Sequence, residues 1–280
     1  MSRIVYLNGQ FLPEQEAKVS IFDRGYVFGD GVYEVTAVLD GKLVDYEPHM
    51  ERLDRSLREL SIAWPCSKDE LRAMHEEIAR RNNLIEGVIY MQVTRGVAER
   101  EFSFPKGVAS SLMSFTQVKK LLDNPNIATG VKVITLPDIR WKRRDIKSIA
   151  LLPQCLGKQR AVEAGAFEGW MVEDGAVTEG TSSTAYIVKD NTVFTRPLSQ
   201  AILPGVTRKS LFRLAAECNV TIEERPFSVD EAKAADEAFM TSASTFVMPI
   251  VEIDGARVGA GVPGPITKRL REIYLEAARS

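Results

Sequence analysis

The sequence predicts a two-domain chain of the α/β (α+β) class. Three observations carry this expectation. β-branched runs and helically spaced apolar residues follow one another along all 280 residues. A stretch at 119–130, with Asp123-Asn124-Pro125-Asn126 and little apolar periodicity, divides them like a linker. Hydrophobic residues make up 45 % against 26 % charged, an ordinary globular balance that supplies a large core and excludes disorder as the main theme.

In chain order, residues 4–7 form a short apolar strand, and Asn8-Gly9 is a hairpin turn signal. Residues 32–39 form a longer β-branched strand, which Asp40-Gly41 turns into a run at 42–46. Met50, Leu53, Leu57 and Leu60 recur at spacings of three and four, so 48–60 is helical. Ser67 with Glu70 makes a capping box that opens a helix to about Asn82. Strands are expected at 88–94, 131–135, 169–173, 185–189, 192–195 and 238–241. Helices are expected at 156–164 (closed by Gly165), 207–218, from 228 to 233, and 266–278.

Lys plus Arg total 36 and Asp plus Glu 38, a net charge of −2 that argues against nucleic acid as the main partner. No apolar run approaches the roughly 18 residues of a membrane span, and a polar break at Asn8 comes too early for a signal peptide. Cys66, Cys155 and Cys218 are widely spaced and fit no metal pattern, so reduced thiols in a cytoplasmic protein are expected, with no metal.

Four segments carry candidate chemistry. Lys147 lies between Ile146 and Ile149 with Ser148, where desolvation can turn an ammonium into a nucleophile; a surface lysine that snorkels is the alternative. Residues 178–184 pack Glu179 among Thr181, Ser182 and Ser183, suited to a phosphorylated ligand or simply a polar turn. Leu203-Pro204-Gly205-Val206-Thr207 leads into a helix whose first N–H groups bind an anion, unless Thr207 is a plain cap. Ser242-Ala243-Ser244-Thr245 is again small and hydroxylated after a strand.

Taken in this order, and with Phe28-Gly29-Asp30-Gly31-Val32-Tyr33-Glu34 and Arg52 in His49-Met50-Glu51-Arg52-Leu53, the chain resembles the fold-type IV pyridoxal-phosphate enzymes. Within them it is most similar to the aminotransferases of D-amino acids, through stretches that also include Asp23-Arg24-Gly25-Tyr26, Val93-Thr94-Arg95-Gly96 and Asp138-Ile139-Arg140-Trp141. The resemblance implies a small domain at 1–120, a large one at 121–280, pyridoxal 5'-phosphate at their interface, and a homodimer. It implies that Lys147 carries the cofactor as a Schiff base and moves the proton between Cα and C4′. Glu179 would keep the pyridine nitrogen protonated, and Arg52 would pair with the phosphate. Val206, Thr207, Ser182, Ser183, Ser242 and Ala243 would complete the cofactor site.

For the substrate carboxylate the resemblance points to Tyr33 and Arg100, with Leu203 also lining the substrate. Where the family adds a histidine two residues after that arginine, this chain has Phe102, and Glu99 and Glu101 flank Arg100. A weakened or altered carboxylate anchor is therefore expected, with Lys142, Arg143 and Arg144 able to compensate unless they form a solvated basic face. The implied reaction is ping-pong transfer of an amino group from a D-amino acid such as D-alanine to a 2-oxo acid, 2-oxoglutarate or pyruvate. A branched-chain L-amino-acid aminotransferase, an (R)-amine transaminase, a 4-amino-4-deoxychorismate lyase and a cofactor-free scaffold remain alternatives.

Overall fold

A computed structural model describes residues 2–217 and 219–279; of Glu217 only the backbone is described, and Cys218 lies outside. The chain divides into two compact units. One holds the chain through Lys120 together with Ile146–Ala150 and Arg279. The other holds Leu121–Asp145 and Leu151–Ala278.

The first unit contains β1 (Ile4–Leu7), β2 (Gln10–Pro13), α1 (Arg24–Phe28), β3 (Gly31–Leu39), β4 (Lys42–Leu43), α2 (Tyr46–Glu59), α3 (Lys68–Arg81), β5 (Gly87–Thr94) and β6 (Ser111–Val118). Among the described residues its six strands form one antiparallel sheet in the order β2-β1-β6-β5-β3-β4. The turn at Asn8-Gly9 joins β1 to β2 with positive φ at both residues, as a two-residue hairpin demands. The expected strand at 42–46 shortens to two residues because Asp45 turns into the left-handed region and Tyr46 already starts α2.

α2 buries Met50, Leu53 and Leu57, the stripe the spacing predicts, against Val38, Ile89 and Met91 of the sheet. Truncating Leu57 to alanine in this fully buried position is worth about 2–5 kcal/mol. The Ser67–Glu70 capping box forms in both directions at the start of α3. Gly31 lets β3 and β5 close, because a Cβ there would sit 2.7 Å from the Val93 carbonyl.

The second unit contains α4 (Asn126–Thr129), β7 (Val131–Pro137), α5 (Leu152–Glu163), β8 (Glu168–Glu173), β9 (Ala176–Gly180), β10 (Thr184–Lys189), β11 (Thr192–Thr195), α6 (Val206–Glu217), β12 (Thr221–Glu224), α7 (Val229–Lys233), β13 (Glu237–Ser242), β14 (Phe246–Ile253), β15 (Ala256–Arg257) and α8 (Pro265–Arg279). Its nine strands form a mixed sheet among the described residues, in the order β12-β11-β10-β13-β14-β7-β8-β9, with β15 on β14. Trp170, Phe227, Met240, Met248 and Ile250 fill its core.

Three expectations are corrected here. The stretch at 119–130 is no plain linker: Leu121 is buried and α4 occupies 126–129. α5 starts four residues earlier than expected, because Pro153 in its first turn is a helix opener rather than a breaker. Thr178 and Glu179 lie on a strand, β9, and not in a loop. Cys66 is half-buried and Cys155 exposed, both free thiols. No helix among the described residues is long and apolar enough to cross a membrane.

Candidate active site

In the first unit the site residues gather around β3. Residues 146–149 lie along the start of this strand. Ile149 N–H donates to Gly31 O at 3.1 Å, Tyr33 N–H donates to Lys147 O at 3.0 Å, and Ser148 bridges Val32. Lys147 N–H donates to Ser56 Oγ of α2 at 3.3 Å. Ile146 is buried in the core, which fixes the backbone on one side of the lysine.

The lysine side chain is therefore placed, although not as the sequence suggested. It is half-buried, and its Nζ stands 4.0 Å from the centre of the Tyr33 ring, an aromatic face rather than an aliphatic pocket. Lys147 makes no ion pair among the described residues. The Tyr33 ring continues into a ladder with Tyr90 and Phe115 on β5 and β6, at 5.6 Å and 4.9 Å between successive centres. Such stacked cross-strand pairs fix ring orientation.

Glu34 follows Tyr33 and, by strand alternation, points to the opposite, fully buried face. Arg52 of α2 donates to it from Nε to Oε1 at 2.9 Å and from Nη2 to Oε2 at 2.7 Å. His49 Nδ1, one turn earlier on α2, lies 2.7 Å from Oε2 and is the donor to an ionised carboxylate. Burial alone would raise the Glu34 pKa, but the Arg52 and His49 bonds outweigh it and lower it to about 2. His49, Arg52 and Ser56 thus form one face of α2, at helical spacings of three and four. Arg100 is exposed, with its guanidinium 5.5 Å from the ring centres of Phe28 and Phe102, and it does not bond to Tyr33.

In the second unit the centre is Glu179 on β9, also buried. Arg140 Nη1 donates to its Oε1 in a short contact, and Leu203 N–H donates to both carboxylate oxygens at 3.2 Å. The rest of the Arg140 fork belongs to Asp138, from Nε to Oδ1 at 2.9 Å and from Nη2 to Oδ2 at 2.7 Å. Burial raises the Glu179 pKa; Arg140 and the Leu203 N–H pull against it, and the Asp138 charge adds to the rise.

The hydroxyls of Thr181, Ser182 and Ser183 all turn to Glu168, Ser182 Oγ donating to Oε2 at 3.0 Å and Ser183 Oγ at 3.3 Å. Gly205, Val206 and Thr207 open α6, whose first N–H groups lie beyond the reach of intrahelical acceptors. Gly205 has no room for a side chain, since a Cβ would stand 2.8 Å from Thr184 Oγ1. Ser242 ends β13, and its Oγ lies 2.8 Å from Thr245 Oγ1 in the turn that also holds Ala243.

The basic run is solvated at Lys142 and buried at Arg144, and each of its cations has a carboxylate partner. Arg144 is buried and forms a fork with Glu173, at 2.8 and 2.9 Å; Lys142 reaches the same carboxylate from solvent, and Arg143 pairs with Asp145. Their carboxylate partners, Glu173 and Asp145, lie within their own unit. The sequence reading missed His49, Ser56, Arg140, Asp138 and Glu168 as partners of the candidate residues. The helical spacing of 49, 52 and 56 was the one available signal.

Residues 31–253 match the model of the family described as amino-transferase class IV. A D-alanine aminotransferase of Staphylococcus aureus (strain MSSA476) is 42 % identical over 96 % of this chain and 95 % of its own length. One from Bacillus licheniformis is 40 % identical over 95 % and 94 %. Among solved structures, a branched-chain aminotransferase of Thermoproteus uzoniensis with norvaline superposes with a TM-score of 0.88 at 27 % identity, covering 99 % of this chain and 95 % of that one.

Proposed function

We propose, from the premise that this chain belongs to the amino-transferase class IV family, that it moves the amino group of a D-amino acid such as D-alanine to a 2-oxo acid, with pyridoxal 5'-phosphate as cofactor. The observation that carries this reading is Lys147: a half-buried amine with no carboxylate partner among the described residues, pinned by its own backbone against the Tyr33 ring. Once it has given up its proton, an amine so placed can attack an aldehyde and take a Cα proton.

Each unit supplies residues whose chemistry suits part of the cofactor. When bound, it supplies the electron sink that makes a Cα carbanion accessible. Lys147 Nζ would hold its aldehyde carbon and carry the proton to and from substrate Cα. Glu179 would keep a proton at the ring nitrogen, and Arg140 and the Leu203 N–H orient its carboxylate for that task. Arg52, held by Glu34, would bind the phosphate with the first N–H groups of α6 at Val206 and Thr207, the Thr207 hydroxyl, and the turn at Ser242 and Ala243. Ser182 and Ser183 would contribute backbone, since Glu168 takes their hydroxyls. Tyr33, Leu203 and Arg100 would line the substrate.

The reading also carries a homodimer in the cytoplasm. Ile21, Tyr26 and Phe102, each at least 70 % exposed, support an apolar interface with a second copy. Sedimentation that finds an active monomer would remove that part.

Substrate choice rests on the 42 % relatives. The Thermoproteus uzoniensis structure, at 27 % identity, favours the second reading, a branched-chain L-amino acid donor. Turnover of D-alanine with 2-oxoglutarate, and not of L-leucine, is the expected result; the reverse adopts the second reading. Lys147→Ala protein titrated with pyridoxal phosphate should lack the visible band of covalent attachment and the half-reaction with D-alanine. An unchanged band ends the assignment of Lys147.

A further inference from the structure

Arg271 of α8 is 6 % exposed, and among the described residues its guanidinium bonds only to backbone carbonyls. Nη1 donates to Thr245 O at 3.0 Å and to Val247 O at 2.9 Å, and Nη2 donates to Leu121 O at 3.2 Å. No carboxylate among the described residues pairs with it. Burial, unopposed, lowers its pKa to about 10, still far above neutrality, so the group is a full positive charge. A buried charge without a counter-charge is costly, and proteins keep one where something else balances it.

The residue between its two carbonyl partners is Phe246, with φ +57 and no exposed surface. Among the described residues every other non-glycine with positive φ is Asn, Asp or Ser. Those types tolerate the left-handed region, whereas a bulky side chain there is strained and persists only when its surroundings force it. α8 forces it twice: Arg271 holds the carbonyls on both sides, and Tyr274, one turn on, packs its ring 5.3 Å from that of Phe246. The strained residue ends the turn of Ser242, Ala243, Ser244 and Thr245, whose side chains are only partly buried and whose hydroxyls gather on Ser242 Oγ. An unmatched cation, a forced backbone and a cluster of hydroxyl donors coincide at one turn.

We infer that Arg271 is a positioning residue for the cofactor phosphate: it sets the 242–245 turn through Thr245 and Val247, and its buried charge is balanced by the bound dianion. The inference rests on the cofactor reading above and adds a residue from the C-terminal helix to it. It separates the phosphate from the rest of the cofactor, and so does its test.

Dissociation constants for pyridoxal phosphate and for pyridoxal, which lacks the phosphate, are measured by titrating apoprotein of wild type, Arg271→Met and Arg271→Lys. Arg271→Met should weaken pyridoxal phosphate by roughly tenfold or more, as a full charge acting through a protein dielectric requires, and leave pyridoxal little changed. Arg271→Lys, which keeps the charge and loses the fork, should fall between. Inorganic phosphate should raise the melting temperature of the wild-type apoprotein and not that of Arg271→Met. Equal losses for pyridoxal and pyridoxal phosphate, or none, overturn the inference, and Arg271→Lys alone decides this if Arg271→Met does not fold. Wild-type protein that binds neither compound overturns the cofactor reading itself, a result the variants cannot imitate.

Discussion

Each unit buries one glutamate against one arginine, and the two pairs behave in opposite ways. Glu34 receives two bonds from Arg52 and a third from His49, and its pKa is lowered to about 2. Glu179 is as deeply buried, but its arginine spends two of its three bonding nitrogens on Asp138, and the carboxyl is pushed up. The difference lies in the second carboxylate, Asp138, that competes for Arg140. Two bonds from Arg52 and one from His49 hold the Glu34 carboxylate as an anion. The Arg140 guanidinium, divided between Asp138 and Glu179, leaves the Glu179 charge incompletely compensated, in keeping with the role proposed for it at a ring nitrogen.

The largest effect expected from breaking this contrast is on stability. Glu34→Ala should cost about 3–5 kcal/mol in chemical denaturation, the scale of removing one member of a buried pair. A loss below about 1 kcal/mol would mean that Arg52 does not depend on it. The pH dependence follows next. Because the folded pKa of Glu34 lies below its ordinary 4.5, its contribution is full above that value and disappears as pH falls toward about 2; the shift corresponds to about 3 kcal/mol. His75, buried and lowered to about 4, adds a loss as pH falls from 6.5 toward 4. Glu179, raised instead, contributes with the opposite sign: its share is full at low pH and is lost as pH rises through its folded pKa. Melting curves should therefore show a flatter decline between pH 4.5 and 2 for Glu34→Gln than for wild type, and no such flattening for Glu179→Gln.

On catalysis the order reverses. Glu179→Gln should lower kcat by on the order of 10²-fold, the usual scale for a preorganised electrostatic group, with little change in stability because Asp138 still holds Arg140. A variant that loses stability in step with activity would show that the pair is structural. The smallest effect sharpens the contrast. Lys142→Ala, at a side chain 82 % exposed, should change stability by less than about 0.5 kcal/mol and leave activity intact, although it too contacts a carboxylate.

The readable elements are those with a local signature: the hairpin at Asn8-Gly9, the stripe of α2, the capping box of α3. β6, β9 and β14 escape a local reading, for separable reasons. β6 breaks its apolar residues with Ser111 and Ser114, β9 is short, carries Glu179 and is buried on both faces, and β14 carries Pro249 inside a sheet, a residue that ordinarily argues against a strand. Pro249 is accommodated near the register shift at Ile250 and Glu252.

The sequence by itself determined the inventory of this protein: a lysine between isoleucines, a glutamate among hydroxyls, an arginine on an amphipathic helix and a glycine before a helix start, in an order specific enough to indicate the family. Which groups those residues meet was decided by tertiary structure alone. Arg52 finds Glu34 across 18 residues, Arg140 finds Glu179 across 39, and Arg271 finds Leu121 across 150. Periodicity and capping act over a few residues of backbone, whereas an ion pair depends on where strand register and helix packing bring two side chains. That geometry separates an anchored carboxylate from a responsive one.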